Sequence, residues 1–207
     1  MLASGAFCCN LDTIVLRSNS IVTTDNREIE IKLRVDGPVG DIHQCLKSIG
    51  FAISKPRVFE SNTLFDTADL RLRAASELIR LRRVGTECIL TYKGRPEPGK
   101  YKSREEIETG VSEESKMALI LARLGFGPVF RYEKFRTEYQ SGQQGTITVD
   151  ETPIGLYLEL EGEPGWIDRI AGELGFSEQQ YITKSYGALY LDYCRERGIT
   201  AANMVFA

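Results

Sequence analysis

The sequence predicts an α+β protein: an eight-stranded antiparallel β-barrel with helices packed outside it. Three observations lead there. Eight stretches carry the period-two alternation of strands, interleaved with three or four helical stretches in mixed order. Most connections are short, which suits antiparallel neighbours in a barrel or a strongly curved sheet. The strand faces opposite the apolar ones are charged. Helices can cover the apolar faces from outside, which turns the charged faces inward.

The elements follow in order. Arg27 to Val35 alternates charged and apolar residues and reads as the first strand; Gly37-Pro38 ends it. Val39 to Ile49 reads as a helix closed by Gly50. A second strand is expected around Phe59 to Asp66, then a turn over Asp66–Asp69. Leu78 to Arg83 and Cys88 to Lys93 form a hairpin about Val84-Gly85-Thr86, and a Pro- and Gly-rich loop separates them from Ser103 to Glu108. Ser112 to Leu124 reads as a helix with Ser112 as N-cap, or more weakly Ser115, and Gly125 past its end. Val129 to Tyr139, Thr146 to Asp150 and Leu156 to Glu161 complete the strands, and Pro164 to Leu174 and Ser177 to Arg197 the helices. Ile49-Gly50-Phe51, Leu124-Gly125-Phe126 and Leu174-Gly175-Phe176 each follow a helical stretch. A shared left-handed helix end, with the Phe packing back, explains that echo.

The chain has 207 residues, 42% apolar and 27% charged, which excludes disorder, collagen and a disulfide knot. One domain of this size builds a full core without staples. No apolar run spans a bilayer. The net charge of −3 gives no sign of a nucleic-acid partner. Five cysteines, an odd number without CxxC spacing, read as reduced thiols in a cytoplasmic protein. Residues 1–24, with adjacent Cys8 and Cys9, read as a weakly ordered extension ahead of a domain over 25–207.

Chemistry enters through the charged faces. Glu28, Glu30, Lys32 and Arg34 share one face of the first strand. Arg80 and Arg82, Thr91 and Lys93, Arg104 with Glu106 and Glu108, Lys134 with Arg136 and Glu138, Thr146 and Thr148 with Asp150, and Tyr157 with Glu159 and Glu161 follow the same rule. On one strand a solvated outer face explains such a pattern. Repeated from strand to strand, with carboxylates paired at 28/30, 106/108 and 159/161, it does not. Paired carboxylates repel and call for a cation, and hard divalent cations take oxygen ligands. Converging Arg and Lys side chains call for phosphate. A polyphosphate with a divalent metal satisfies both sets. A nucleotide or polyphosphate binder without chemistry would need the bases but has less use for the carboxylate pairs.

These residues resemble the CYTH family, also called triphosphate tunnel metalloenzymes. Glu28-Ile29-Glu30-Ile31-Lys32 matches its ExExK signature, and Phe65-Asp66-Thr67-Ala68-Asp69-Leu70 its F-D-T-x-D-L segment. Arg80-Leu81-Arg82, Tyr92-Lys93-Gly94, Arg104-Glu105-Glu106-Ile107-Glu108 and Lys134-Phe135-Arg136 resemble its successive charged strands. Val149-Asp150-Glu151, Glu159-Leu160-Glu161-Gly162 and Thr183-Lys184-Ser185-Tyr186 resemble its late acidic strands and lysine-bearing final helix. The order of the segments, over roughly residues 27–190, carries more weight than any one of them.

The resemblance implies an eight-stranded tunnel. In it Lys32, Arg34, Arg80, Arg82, Lys93, Lys134, Arg136 and Lys184 bind a triphosphate. Glu28, Glu30, Glu106, Glu108, Asp150, Glu159 and Glu161 hold Mg²⁺ or Mn²⁺, and Glu28, Glu30 and Lys32 form the catalytic set. Lys32-Leu33-Arg34 and the segment Asp150–Gly155 are similar to the class IV adenylyl cyclase subgroup. The implied substrates are ATP, inorganic triphosphate or thiamine triphosphate, so cyclase and triphosphatase both stand, in a monomer or homodimer free of nucleic acid and membrane. Of the other polar and aromatic residues, Asp66 and Asp69 read as caps of a short helix and His43 as a helix-surface residue. Trp166 and Tyr190 read as packing residues, and Tyr186 as one that orders the last helix.

Overall fold

The structure is a computed structural model and describes residues 27–207; the expected 1–24 extension lies outside these residues. Eight strands run β1 (Arg27–Val35), β2 (Ala52–Asp66), β3 (Leu78–Val84), β4 (Glu87–Lys93), β5 (Lys102–Val111), β6 (Gly127–Gln140), β7 (Gly145–Thr152) and β8 (Gly155–Gly162). They close into an antiparallel barrel in the order β1-β5-β4-β3-β2-β6-β7-β8. The helices are α1 (Val39–Ser48), α2 (Arg71–Ala75), α3 (Glu114–Arg123), α4 (Pro164–Glu173) and α5 (Tyr186–Arg197). No helix among the described residues is long and apolar enough to cross a membrane.

The apolar faces turn outward, as the sequence predicts. Ile31, Leu33, Ile147, Val149, Leu158 and Leu160 are almost wholly buried beneath Ile42 and Leu46 of α1 and Trp166, Ile167 and Ile170 of α4. Each such aliphatic side chain contributes about 1.5–3 kcal/mol by leaving water. A second cluster sets Leu121 of α3 against Leu81 and Phe65. Ile107 departs from the expectation: it remains 47% exposed.

The three Gly-Phe echoes are helix ends of one kind. Gly50, Gly125 and Gly175 take φ of +89°, +90° and +83°. The following Phe51, Phe126 and Phe176 amides donate back to the carbonyls of Leu46, Leu121 and Ala171, and the rings join the cores beneath. Asp66 caps α2: its Oδ1 accepts from the Leu72 amide at 2.9 Å and its Oδ2 from the Arg73 amide at 2.9 Å. Asp69 accepts from the Thr67 hydroxyl at 2.5 Å.

Three boundaries differ from the sequence reading. β2 begins at Ala52, not near Phe59; Pro56 removes a donor, and register shifts around it break the alternation. α3 begins at Glu114 after Glu113, and no side chain caps it. The expected helix over Ser177 to Arg197 is a 3₁₀ turn at Glu178–Gln180, an extended link and then α5. Tertiary pairing overrides helix propensity in the link: Ile182 and Lys32 exchange backbone hydrogen bonds of 2.8 and 2.9 Å along an edge of β1 that β5 leaves free. Ser185 then caps α5 by accepting from the Ala188 amide at 3.2 Å.

Candidate active site

Because side chains alternate on a strand, the barrel geometry sends every charged face to the lumen. Nine basic and seven acidic side chains line a lumen of about 280 Å³. The register sets the partners. Arg136 and Asp150 face each other across β6 and β7, and Lys32 faces Glu159 across β1 and β8. Asp150 is completely buried. It accepts from Lys134 at 2.9 Å, from Arg136 at 2.7 and 2.6 Å, and from the Tyr186 hydroxyl at 2.7 Å. Arg136 also bonds Glu159, and Glu60 lies 3.6 Å from Lys134.

Lys32 is 3.3 Å from Glu30 and 3.1 Å from Glu159. Burial opposes its charge, but the two carboxylates more than offset that and hold Lys32 above the ordinary lysine range. A lysine held in its charged form suits an anion ligand. On the opposite wall Arg80 donates to Thr91 at 3.1 Å and Glu108 at 3.0 Å, and Arg82 to Glu108 at 3.2 Å. Lys93 pairs with Glu106 and with Glu28 at 3.2 Å; burial and the neighbouring Arg80 push it down to about 7.

At one end Glu28, Glu30, Glu159 and Glu161 come from neighbouring strands, with Glu30 opposite Glu161 in the register. Burial, then Glu28, Glu30 and Glu159, raise the Glu161 carboxyl to about 7. Among the described residues no three acids are gathered tightly enough to form a ready cage for an ion. The donor set nonetheless suits a hard divalent cation, which would relieve the repulsion among these carboxylates. Glu28, Thr146 and Glu161 also open onto a surface cleft of about 700 Å³ beside Arg27, Gln143, Gln144, Trp166 and Arg169.

The other end is covered by Ser185, Tyr186 and Gly187 at the start of α5. The Tyr186 ring lies 5.3 Å from the Lys32 ammonium and 5.2 Å from that of Lys134. Tyr186→Phe keeps those ring contacts and removes one donor from Asp150. A loss of about 0.5–1.5 kcal/mol in stability is expected in urea unfolding; no change would mean that the hydroxyl bond to Asp150 contributes nothing.

Glu60 makes the lumen acid-sensitive. Burial resists its ionisation, but Lys134, Arg136, Arg82 and Arg80 hold it down at about 2. A depressed carboxyl stabilises the fold above its unfolded pKa, and that stability is lost as pH falls through the folded value. Between about pH 4.5 and 2 Glu60 should withdraw roughly 3 kcal/mol. Acid unfolding of Glu60→Gln should be less steep there; an identical profile would remove Glu60 as a cause.

Most expected site residues meet in the lumen: Glu28, Glu30, Lys32, Arg80, Arg82, Lys93, Glu106, Glu108, Lys134, Arg136, Glu159 and Glu161. Three do not. Lys184 lies outside, 60% exposed and 2.6 Å from Asp192, because the extended link turns it away from the barrel. Arg34 is 54% exposed near Asp36, beyond the covered end. Asp150 shares the inward face of β7 with Thr146 and Thr148 but is covered there by Lys134, Arg136 and Tyr186, which occupy both its oxygens and make it their counter-ion. Sequence reasoning passed over Lys102, which lines the lumen 2.7 Å from Glu30, and Glu60. Carrying the period of Arg104, Glu106 and Glu108 back by two positions finds Lys102, and Glu60 already lies within the expected strand Phe59 to Asp66 on the face of Asn62 and Leu64. Tyr186, expected only to order α5, lines the lumen as well. Trp166 packs in the core as expected, whereas His43, expected at the helix surface, is half-buried and meets the hydroxyl of the buried Tyr139 at 2.6 Å.

Residues 26–186 match the CYTH domain. The chain belongs to the CYTH family. A Methanocaldococcus jannaschii protein named "Putative adenylate cyclase MJ0240" is 32% identical over 169 residues, covering 77% of this CYTH chain and 95% of that protein. The PH1819 protein of Pyrococcus horikoshii superposes with a TM-score of 0.69 at 27% identity, over 80% of this chain and 99% of the other. HpAC1 of Hippeastrum shares the fold at a TM-score of 0.58 and 23% identity, over 84% and 97%.

Proposed function

We propose that this chain is a divalent-metal-dependent enzyme that transfers a phosphoryl or nucleotidyl group of a triphosphate held in the lumen. One observation carries this reading: a closed barrel whose interior interleaves nine bases with seven acids. Lys32, Arg80, Arg82, Lys93, Lys134 and Arg136 grip phosphate oxygens, with the arginines supplying forked contacts. Glu28, Glu30, Glu159 and Glu161, with Glu106 and Glu108 across the lumen, hold Mg²⁺ or Mn²⁺. Such a cation, when bound, offsets charge developing on the transferring group. The fixed ammonium and guanidinium groups add to that effect without reorganising. Asp150 and Tyr186 keep Lys134 and Arg136 in place for it.

Hydrolysis is the reaction this lumen favours. Its volume of about 280 Å³ accommodates a triphosphate chain. Its walls are charged instead of apolar. The HpAC1 structure is described as revealing a dominant triphosphatase activity despite that protein's cyclase name. The cleft beside Glu28 and Glu161 favours a second reading, cyclisation of ATP: Gln143, Gln144 and Arg169 would offer polar groups to a nucleoside there. The cyclase name of the Methanocaldococcus relative supports the same reading.

The test supplies inorganic triphosphate and ATP separately, with Mg²⁺ or Mn²⁺, and identifies the products. Orthophosphate, chiefly from inorganic triphosphate, is expected. Cyclic AMP with pyrophosphate would establish the second reading. Tight binding without any product would leave a polyphosphate-binding module.

A further inference from the structure

The lumen cations differ in one respect: most are already engaged. Lys134 and Arg136 share Asp150, Lys32 lies between Glu30 and Glu159, and Lys93 and Lys102 have glutamates within 3.2 Å. Arg104 is the exception. It is 92% buried, by its 8% exposure, and lines the lumen from β5, yet among the described residues it makes no hydrogen bond or ion pair. Glu28 faces it in the β1–β5 register, but that carboxylate pairs with Lys93 instead. Burial and the neighbouring Arg80 disfavour its charge, and Glu30 and Glu28 offset them only in part. An arginine does not shed its proton in response. The guanidinium reaches the lumen beside Arg80 with no carboxylate among the described residues within ion-pairing distance, a placement that an incoming anion relieves.

We infer that Arg104 is a substrate-binding residue, the lumen guanidinium that stands open for a phosphoryl group beside Glu28 and Glu30. This rests on the triphosphate reading of the lumen. Elsewhere an incoming phosphate must compete with a carboxylate already bound to the cation. At Arg104 it displaces nothing, and a planar fork accepts two oxygens at once. The anion therefore docks first on the β5 side of the lumen, next to the acids proposed for the metal, and not on the Lys134–Arg136 side. Removing Arg104 then has two effects of opposite sign: the empty protein gains stability and the ligand loses affinity.

The experiment measures binding of inorganic tripolyphosphate without metal, by calorimetry and thermal shift, on the full chain and on Arg104→Gln and Arg104→Lys. The expected result for Arg104→Gln is a melting temperature at or above that of the parent and affinity about 10- to 100-fold weaker. Arg104→Lys should recover part of the affinity. If the parent binds tripolyphosphate and Arg104→Gln binds it equally well, this inference fails and the triphosphate reading stands. If the parent does not bind it, the triphosphate reading fails and the inference with it. If both variants melt well below the parent, Arg104 supports the fold and the inference is overturned.

Discussion

Asp150→Asn should lower the melting temperature by roughly 6–20 °C. The carboxylate is completely buried and is the shared acceptor of Lys134, Arg136 and the Tyr186 hydroxyl. Asparagine keeps the shape, loses the charge, and turns an amide donor toward two cations. Breaking one side of a buried ion pair costs about 3–5 kcal/mol, because the partner charges remain buried without compensation. For a protein of this length each kcal/mol moves the midpoint by about 2–4 °C. Affinity for inorganic triphosphate should also fall, because the Lys134–Arg136 wall loses the group that positions it. A melt within about 2 °C of the parent would show that Glu60 and Glu159 alone suffice to neutralise that wall.

Glu28→Gln or Glu161→Gln should reduce metal-dependent turnover by about 10²–10³-fold, the cost of removing one fixed charge from a preorganised site. Stability should hold or rise for Glu161→Gln, which removes one of four mutually repelling carboxylates without breaking an ion pair, whereas Glu28→Gln also gives up the pairing with Lys93. The pH dependence has a definite sign. Glu161, raised to about 7, binds its proton more tightly folded than unfolded. Its protonated form therefore favours the fold below about pH 7, and that contribution is lost as pH rises. A divalent cation needs the ionised form, so its apparent affinity should fall as pH drops through about 7, and Glu161→Gln should flatten that profile. Full turnover in either variant would remove that residue from the site. Turnover lost together with the fold would assign it a structural role instead.

Much of the architecture was legible in the chain. Period-two alternation is a local property, so Arg27 to Val35 and Leu156 to Glu161 could be assigned with their inward faces. The helix ends at Gly50, Gly125 and Gly175 were legible for the same reason: a left-handed glycine with a returning Phe is set by six consecutive residues. Where locality failed, a distant strand intervened. The link at Ile182 gave up helix to pair with Lys32, and Pro56 hid the first half of β2 among shifted registers.

A barrel with an apolar outside and a charged inside follows from the chain alone, together with most of the side chains that line it. The alternation of residue types and the turn residues between strands contain that information. Which charges neutralise each other follows from the folded register instead. Strand order places β1 between β5 and β8, and β6 beside β7, so Asp150 falls to Lys134 and Arg136, Lys184 stays outside, and Arg104 is left facing the lumen without a carboxylate. Alternation fixes the face a side chain occupies, whereas its partner depends on register between strands far apart in the chain, which no local pattern encodes.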